Sequence, residues 1–405
     1  MRYQSSVLHQ ILKHVPWSSF DRLVEKHQAD RRVRRLSTKS QLIALIYGQL
    51  SGAQSLREIE AGLKSHESQL YHAGSTAVRR STLSDANGKR PTAVFVGLFE
   101  EMSKYVHRGL RRELPDLTYL IDATPLTLNA KSADWTTRFS KKVYGGKLHM
   151  IYDPAADVPI YAALSAANVN DITVAKKMPI EPGATYVFDL GYYDYSWWKT
   201  LDDAGCRIVT RLKKNTPLRL LRELPVPKTG SILCDRIGFL PQKLSYTNRN
   251  PMADAVREVQ VKTDQGKILR IFSNDLDADA QEIAALYKYR WQIELLFRWI
   301  KQVLRIRHFL GTSQNAVLIQ LIVALIAYLA LRLAQRTQTA VESPLAFTRL
   351  VRINLTHKRR IDRLLRPMES FIPRPHQMVL KMELTSKPDS RGSSPAMLNL
   401  VFDGG

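Results

Sequence analysis

The sequence predicts an α/β protein: a mixed-sheet core with a β-strand insertion, an all-α region before it and helices after it. Three observations carry this. Three neighbouring strand-like runs are followed by strands that alternate with helices. Alternating apolar segments then interrupt the core, and helix-period sequence fills both flanks. At 405 residues the chain has length for more than one domain around a large core. The expected division is 1–112 helical, 113–310 the core with its insertion at about 215–275, 311–366 helical, and 367–405 a poorly ordered tail.

From Ser6 to about Arg112 the pattern is helical. One apolar helix begins at Gln41–Tyr47 after the Ser37–Ser40 cap region, and a second at Ser55–Leu63. The short Ser-Gly-Ala break between them suits helix-turn-helix DNA binding and an ordinary helical hairpin alike. A further helix starts at Arg79-Arg80-Ser81-Thr82, whose basic, hydroxyl-bearing N-terminus suits phosphates as well as simple capping. Leu117–Ile121 reads as a strand ending in Asp122-Ala123-Thr124-Pro125. Val143–Tyr152 and Val158–Ser165 are two more, linked by turn-rich 153–157. A helix is expected over Ile172–Met178, a buried strand over Thr185–Phe188 ending in Asp189, a helix over Tyr193–Asp203 and a strand over Arg207–Thr210. In the insertion, Val256–Val261 and Ile268–Phe272 alternate in character around a Thr-Asp-Gln-Gly turn. Asp279 with Glu282 opens one long helix whose apolar positions Ile283, Leu286, Ile293, Leu296, Phe297, Ile300 and Leu304 recur at helical spacing. Ala316–Leu331 is the longest apolar run. Gln320 interrupts it and it is short for a membrane span, so it reads as a buried helix. The tail after Pro367 contains Pro, Ser and Gly and reads as poorly ordered.

The charge points to a polyanion. Lys and Arg number 60 against 37 Asp and Glu, a net +23, in clusters spread along the chain: 31–35, 79–80, 108–112, 141–142, 211–214 and 358–366. That spread suits an extended nucleic-acid track better than a membrane surface, for which no separate basic amphipathic segment exists. Lys358, Arg359, Arg360 and Arg363 suit either DNA flanks or a solvated face. Two cysteines, Cys206 and Cys234, exclude a disulfide framework and the usual structural zinc site. The first ten residues carry no signal-peptide core, so a soluble protein of a reducing cytosol is expected. No internal repeat and no glycine-rich phosphate loop occurs, which leaves an ATP requirement without support.

Chemistry concentrates at Asp122, Asp189 and Glu294. The two aspartates each follow a hydrophobic strand, and the carboxyl ends of strands in open α/β sheets are where ligand groups collect. Each taken singly also reads as a turn or cap residue. On one helix at about 100° per residue, Tyr287, Arg290, Glu294 and Lys301 fall within roughly 60° of one another. A carboxylate there suits a hard divalent ion and its basic neighbours suit phosphate; a solvated face with i,i+4 ion pairs is the plainer reading. Three carboxylates with all-oxygen ligation fit magnesium or manganese, and a two-metal site fits phosphodiester chemistry.

The order Asp122, Asp189, Glu294 resembles the DDE triad of bacterial insertion-sequence transposases. The spacing Tyr-x2-Arg-x3-Glu-x6-Lys, met by Tyr287, Arg290, Glu294 and Lys301, resembles the signature of the insertion sequence 4 family. The contexts I-D-A-T at 121–124, G-G-K-L-H at 145–149, N-x-N-D at 168–171, F-D-L-G-Y-Y-D at 188–194 and H-F-L-G-T-S-x-N-A at 308–316 are similar too. The segments S-Q-L, S-L-R-E-I and R-S-T-L-S-D-A-N resemble the helical domain often fused to this core, and the likeness covers roughly residues 1 to 365. It implies a ribonuclease H-like core, Mg2+ (Mn2+ as substitute) held by Asp122, Asp189 and Glu294, and phosphates gripped by Tyr287, Arg290 and Lys301. Arg298, Lys147, His149, Arg79 and Arg80 join the expected DNA contacts. The implied reaction is hydrolysis at the element's ends followed by attack of the freed 3′-hydroxyl on target DNA, in a homodimeric paired-end complex in the bacterial cytoplasm. A noncatalytic DNA-binding regulator and a nuclease without strand transfer are the other readings.

Family members that cut through a hairpin can stack a flipped base on a tryptophan of the insertion. Here no tryptophan lies between Trp198 and Trp291. Phe239 or Tyr246 would have to offer that face, or each simply packs. Trp197, Trp198, Trp291 and Trp299 read as helix–sheet packing.

Overall fold

The computed structural model describes residues 5–111, 117–128, 137–140, 143–227, 229–242, 249–303 and 309–365. Arg112, Lys141, Lys142, Tyr246, Leu304, His308 and the tail from 367 lie outside the described residues, as do the side chains of 108–111.

The N-terminal third is helical: α1 (Val7–Leu12), α2 (Trp17–Lys26), α3 (Thr38–Ser51), α4 (Leu56–Ser65), α5 (Glu67–Leu70), α6 (Arg80–Lys89) and α7 (Thr92–Arg111). Local chemistry sets the boundaries. Ser37 Oγ caps α3 by accepting from Ser40 N at 3.1 Å. The helix stops at Gly52, whose φ of 78° is the left-handed conformation that glycine adopts without a Cβ clash. Ser55 Oγ then accepts from Glu58 N at 3.2 Å, while Glu58 Oε2 accepts from Gln54 N at 2.8 Å, so α4 opens with a reciprocal cap.

Among the described residues ten strands form one sheet: β1 (Thr118–Leu128), β2 (Thr137–Ser140), β3 (Val143–Asp153), β4 (Val158–Ala166), β5 (Thr185–Phe188), β6 (Arg207–Arg211), β7 (Arg219–Glu223), β8 (Ile232–Phe239), β9 (Val256–Lys262) and β10 (Ile268–Ser273). The order is β2-β3-β1-β5-β6-β10-β9-β8-β7, with β4 also on β3. Strands β1, β5 and β6 run parallel, and β3 and β4 are antiparallel to their neighbours. The path β4-β3-β1-β5-β6 is the ribonuclease H-like arrangement. The insertion strands β7–β10 do not form a separate sheet: β10 pairs with β6 and extends the core. Two short helices, α8 (Asp171–Ala175) and α9 (Tyr195–Asp203), lie between strands. Each is shorter than its apolar pattern; α9 starts late because Asp194 caps it, accepting from Trp197 N at 2.8 Å.

Two boundaries differ from expectation and both matter for the site. Strand β1 does not end at Ile121. It continues to Leu128 because β3 pairs with it throughout, Leu120 opposite Tyr152 to Leu128 opposite Tyr144. Its pairing with β5 does stop at Ile121, so past that point one edge lacks a β5 partner and Pro125 is tolerated. The long helix from Ala280 is two helices, α10 (Ala280–Tyr289) and α11 (Trp291–Val303). They join at Arg290 through tight i→i+3 bonds, Arg290 N to Tyr287 O and Ile293 N to Arg290 O, both 3.2 Å.

After α11 come α12 (Gln314–Arg336) and α13 (Pro344–Asn354). Helix α12 is apolar all round and passes a membrane-span test by length and composition, yet 83% of its most apolar window is buried inside the fold. It packs on α1, α3, α6, α7, α13 and β4, so a single core joins the N-terminal helices to the sheet. Trp197 and Trp198 are buried under β5 and β6, and Trp299 meets Tyr328 edge-on at 4.9 Å. Trp291 departs from the expected packing: it is 50% exposed at the start of α11, with the Arg298 guanidinium 6.0 Å from its ring centroid. Phe239 is half-buried beneath Arg219, at 4.9 Å. Both cysteines are buried free thiols.

Candidate active site

The parallel register brings the two aspartates together. Ile121 lies opposite Phe188 on β1 and β5, so Asp122 and Asp189 are the next residues on adjacent strands. Each carboxylate is anchored by a nearby backbone amide: Ala123 N donates to Asp122 Oδ1 and Gly191 N to Asp189 Oδ1, both at 2.8 Å. Helix α11 lies across β1 and supplies the third acid. Arg290, at the junction of α10 and α11, spans the acids: its Nη2 is 2.6 Å from Glu294 Oε1 and its Nη1 3.6 Å from Asp122 Oδ2. Lys301, two turns on, donates to Thr124 Oγ1 at 2.5 Å, two residues along β1 from Asp122 and on the same face. Tyr287 is buried with the Arg290 guanidinium 5.8 Å from its ring centroid. Burial pushes its phenol up, and Arg290 and Arg211 oppose that.

Asp122 shows the electrostatic character of the cluster. Burial pushes its carboxyl up to about 7; Asp189 and Glu294 add to the rise, while the Ala123 amide and Arg290 pull against it. Three carboxylates with one guanidinium, paired to two of them, are short of positive charge. All-oxygen donors of this kind fit a hard divalent cation. Among the described residues no three acidic, His or Cys side chains already enclose an ion-sized space; Arg290 stands between Asp122 and Glu294, so binding at all three needs it to yield. A divalent ion held by Asp122 would displace a proton from it, so affinity for such an ion should rise with pH toward about 7, by up to about tenfold per unit, and level off above it. Calorimetric titrations across that range check this, and Asp122→Asn should remove the bend.

The remaining expected contacts fall in three places. Lys147 and His149 stand on β3, behind Asp122. Lys147 Nζ bonds Asp171 Oδ1 at 2.9 Å and Val169 O at 3.0 Å. His149 is fully buried; Ser165 Oγ donates to Ala166 O, so His149 Nε2 donates to Ser165 at 2.7 Å. Burial holds this imidazole down at about 4, which keeps it neutral and out of reach of a phosphate as the structure stands. Arg298 is exposed beside Trp291. Arg79 and Arg80 are exposed at the start of α6, where Arg80 borders a cleft of about 610 Å³ with Ser55, Arg57, Ser81 and Phe309. Of the late basic cluster, Lys358 and Arg363 are exposed, Arg360 pairs with Asp362, and Arg359 bonds Asn354.

Sequence reasoning missed two residues. Asp171 is the partner of Lys147, and Arg211 at the end of β6 faces Tyr287. Asp171 stood in view as the last residue of N-x-N-D, five residues past the end of β4, but nothing local assigns it a partner.

An acid cluster on adjacent strands of a ribonuclease H-like sheet, ringed by basic groups, fits an enzyme of polynucleotide backbones. Residues 113–330 match the family described as Transposase DDE domain, and residues 3–76 a domain of unknown function, DUF4372. A Sinorhizobium fredii protein named as transposase y4zB is 40% identical over 285 residues, 70% of this chain and 80% of that one. A Geobacillus stearothermophilus protein named as a transposase for insertion sequence element IS5377 is 27% identical, over 67% of this chain and 72% of that one. A solved piggyBac transposase synaptic complex with hairpin DNA aligns over 89% of this chain and 80% of that one, at 13% identity and a TM-score of 0.40. The chain belongs to the DDE transposase family. It is a DNA-binding enzyme of DNA cleavage and strand transfer, in a family that generally uses divalent metal ions.

Proposed function

We propose that the protein cuts DNA at the ends of an insertion sequence and joins the freed 3′-hydroxyl ends to target DNA at Asp122, Asp189 and Glu294. The observation that carries this reading is the clustering of these three carboxylates, Asp122 and Glu294 bridged by Arg290 and Asp189 beside Asp122 on the neighbouring strand, with Asp122 held up to about 7. They would hold Mg2+, with Mn2+ as substitute; once bound, such ions activate the attacking oxygen and stabilise the leaving one. The chain's own groups do the rest. Arg290 exchanges its carboxylates for a phosphate near the cut, and its planar fork suits two phosphate oxygens. The Tyr287 ring holds that guanidinium in place, and Lys301 supplies a second positive charge along β1. A pocket of about 980 Å³ between the insertion and the α10–α11 junction, bordered by Lys262, Leu269, Lys288, Arg290 and Trp291, would receive the strand end.

In this reading residues 1–112 bind the terminal repeats, with Arg79 and Arg80 on phosphates, and Arg298 contacts the same strand as Trp291. Lys147 and His149 act from behind the acids and not on DNA directly. Two copies pair the two ends, in the bacterial cytoplasm. The Tyr287, Arg290, Glu294, Lys301 spacing supports membership of the insertion sequence 4 group.

Arg290→Ala tests the phosphate role. End binding should weaken about tenfold, and the slope of log K against log salt should fall by about 0.9, the value for one lost phosphate contact. Anisotropy titrations over a salt series read both. An unchanged slope with unchanged affinity would place Arg290 on the acids alone.

A further inference from the structure

Tyr192 follows Asp189 in a single 3-10 turn, Leu190–Tyr192, and its ring is wholly buried. Phe188 and Trp197 hold the ring at centroid distances of 6.0 and 6.2 Å, and Trp198 Nε1 pins the backbone by donating to Tyr192 O at 3.0 Å. Its hydroxyl nevertheless has no hydrogen-bond partner among the described residues. Buried phenols normally find one. The charged groups near enough to act on it are Asp122, Asp171 and Asp189, so a buried donor lies near three acceptors and bonds none of them.

The neighbouring acids leave oxygens for it. Asp171 Oδ1 is taken by Lys147, and Asp189 Oδ1 by the Gly191 amide. Asp171 Oδ2 and Asp189 Oδ1 converge over Gly191, 3.2 and 3.0 Å from where a Cβ would stand. Glycine at 191 thus lets a fourth acid, absent from the triad, sit against the second one.

We propose that Tyr192 is a positioning residue whose hydroxyl donates to this aspartate cluster when the acids draw together on a divalent ion, fixing their orientation, with Asp171 as the outer acid of the set. The inference rests on the reading that Asp122 and Asp189 hold that ion. Partners of metal-binding carboxylates are worth roughly 10- to 100-fold in affinity or activity.

The test compares wild type, Tyr192→Phe, Asp171→Asn and Asp189→Ala in the full-length protein. Mn2+ binding is read by electron paramagnetic resonance without DNA, cleavage by single turnover on end-bearing DNA, and stability by thermal unfolding. Tyr192→Phe removes one oxygen and leaves the ring contacts, so its unfolding midpoint should equal or exceed that of wild type. Its Mn2+ affinity and cleavage rate should both fall roughly 10- to 100-fold, with DNA binding retained, and Asp171→Asn should follow in the same direction. Wild-type Mn2+ affinity and cleavage in a folded Tyr192→Phe would overturn the proposal while leaving the metal site intact. Mn2+ binding unaffected by Asp189→Ala would overturn the metal reading, and this inference with it.

Discussion

Glu294→Gln is expected to abolish DNA cleavage while leaving end binding and the fold in place. The structure separates the two effects by size. Glu294 is about a third exposed and its local partner is Arg290 one turn earlier, an i,i+4 pair of a kind worth about 0.3–0.5 kcal/mol. Glutamine keeps the volume and still offers Arg290 a carbonyl acceptor, so little stability is lost. The charge it removes belongs to the set that must balance divalent ions, and Lewis-acid stabilisation of a phosphoryl transition state is worth several kcal/mol, or on the order of 10³-fold in rate. Single-turnover cleavage beside anisotropy binding reads both quantities. Equal loss of binding and cleavage in a folded protein would assign Glu294 to DNA contact.

Asp235→Ala is expected to destabilise the protein by about 3–5 kcal/mol, the cost typical of removing one partner from a buried ion pair. Asp235 on β8 and Arg257 on β9 are almost wholly enclosed, with Arg257 Nε to Asp235 Oδ1 at 2.9 Å and Nη2 to Oδ2 at 2.8 Å. Arg257 Nη1 also donates to Leu276 O at 3.1 Å and to Ala278 O. Those carbonyls precede Asp279, which caps α10 by accepting from Gln281 N at 2.9 Å. The pair therefore ties the insertion to the helix that delivers Tyr287 and Arg290. Without Asp235 a guanidinium is left buried with carbonyls alone, and the Arg257 side chain that holds the start of α10 loses the carboxylate that fixes it. Urea unfolding measures the loss, and cleavage should fall at temperatures where wild type stays active. A change under about 1 kcal/mol, the scale of an exposed pair, would mean that water reaches the site.

Much of this was legible in the sequence, for identifiable reasons. The apolar runs up to Ile121 and Phe188 were legible as strands because continuous apolar β-formers mark buried parallel strands, and their pairing, Ile121 opposite Phe188, puts Asp122 and Asp189 in one place. The extension of β1 was not legible. Asp-Ala-Thr-Pro looks like a turn locally, and only β3, paired from some 20 residues away, keeps it extended. The break at Arg290 was hidden because the apolar spacing runs on through a 3-10 junction without losing phase. Trp291 could have been placed correctly: at about 100° per residue it falls on the far side of α11 from Ile293, Leu296 and Ile300. Tyr192 and Asp171 were beyond any one-dimensional reading, since their importance lies in a hydroxyl with no partner and in two carboxylates meeting over a glycine.

The most direct measurement is an in vitro reaction with labelled DNA carrying the element's own ends, a target plasmid and magnesium, run with wild type beside Glu294→Gln. Magnesium-dependent cleavage and joined product from wild type, with bound but intact DNA from Glu294→Gln, is the result this account predicts. Joined product from Glu294→Gln at the wild-type rate would contradict it.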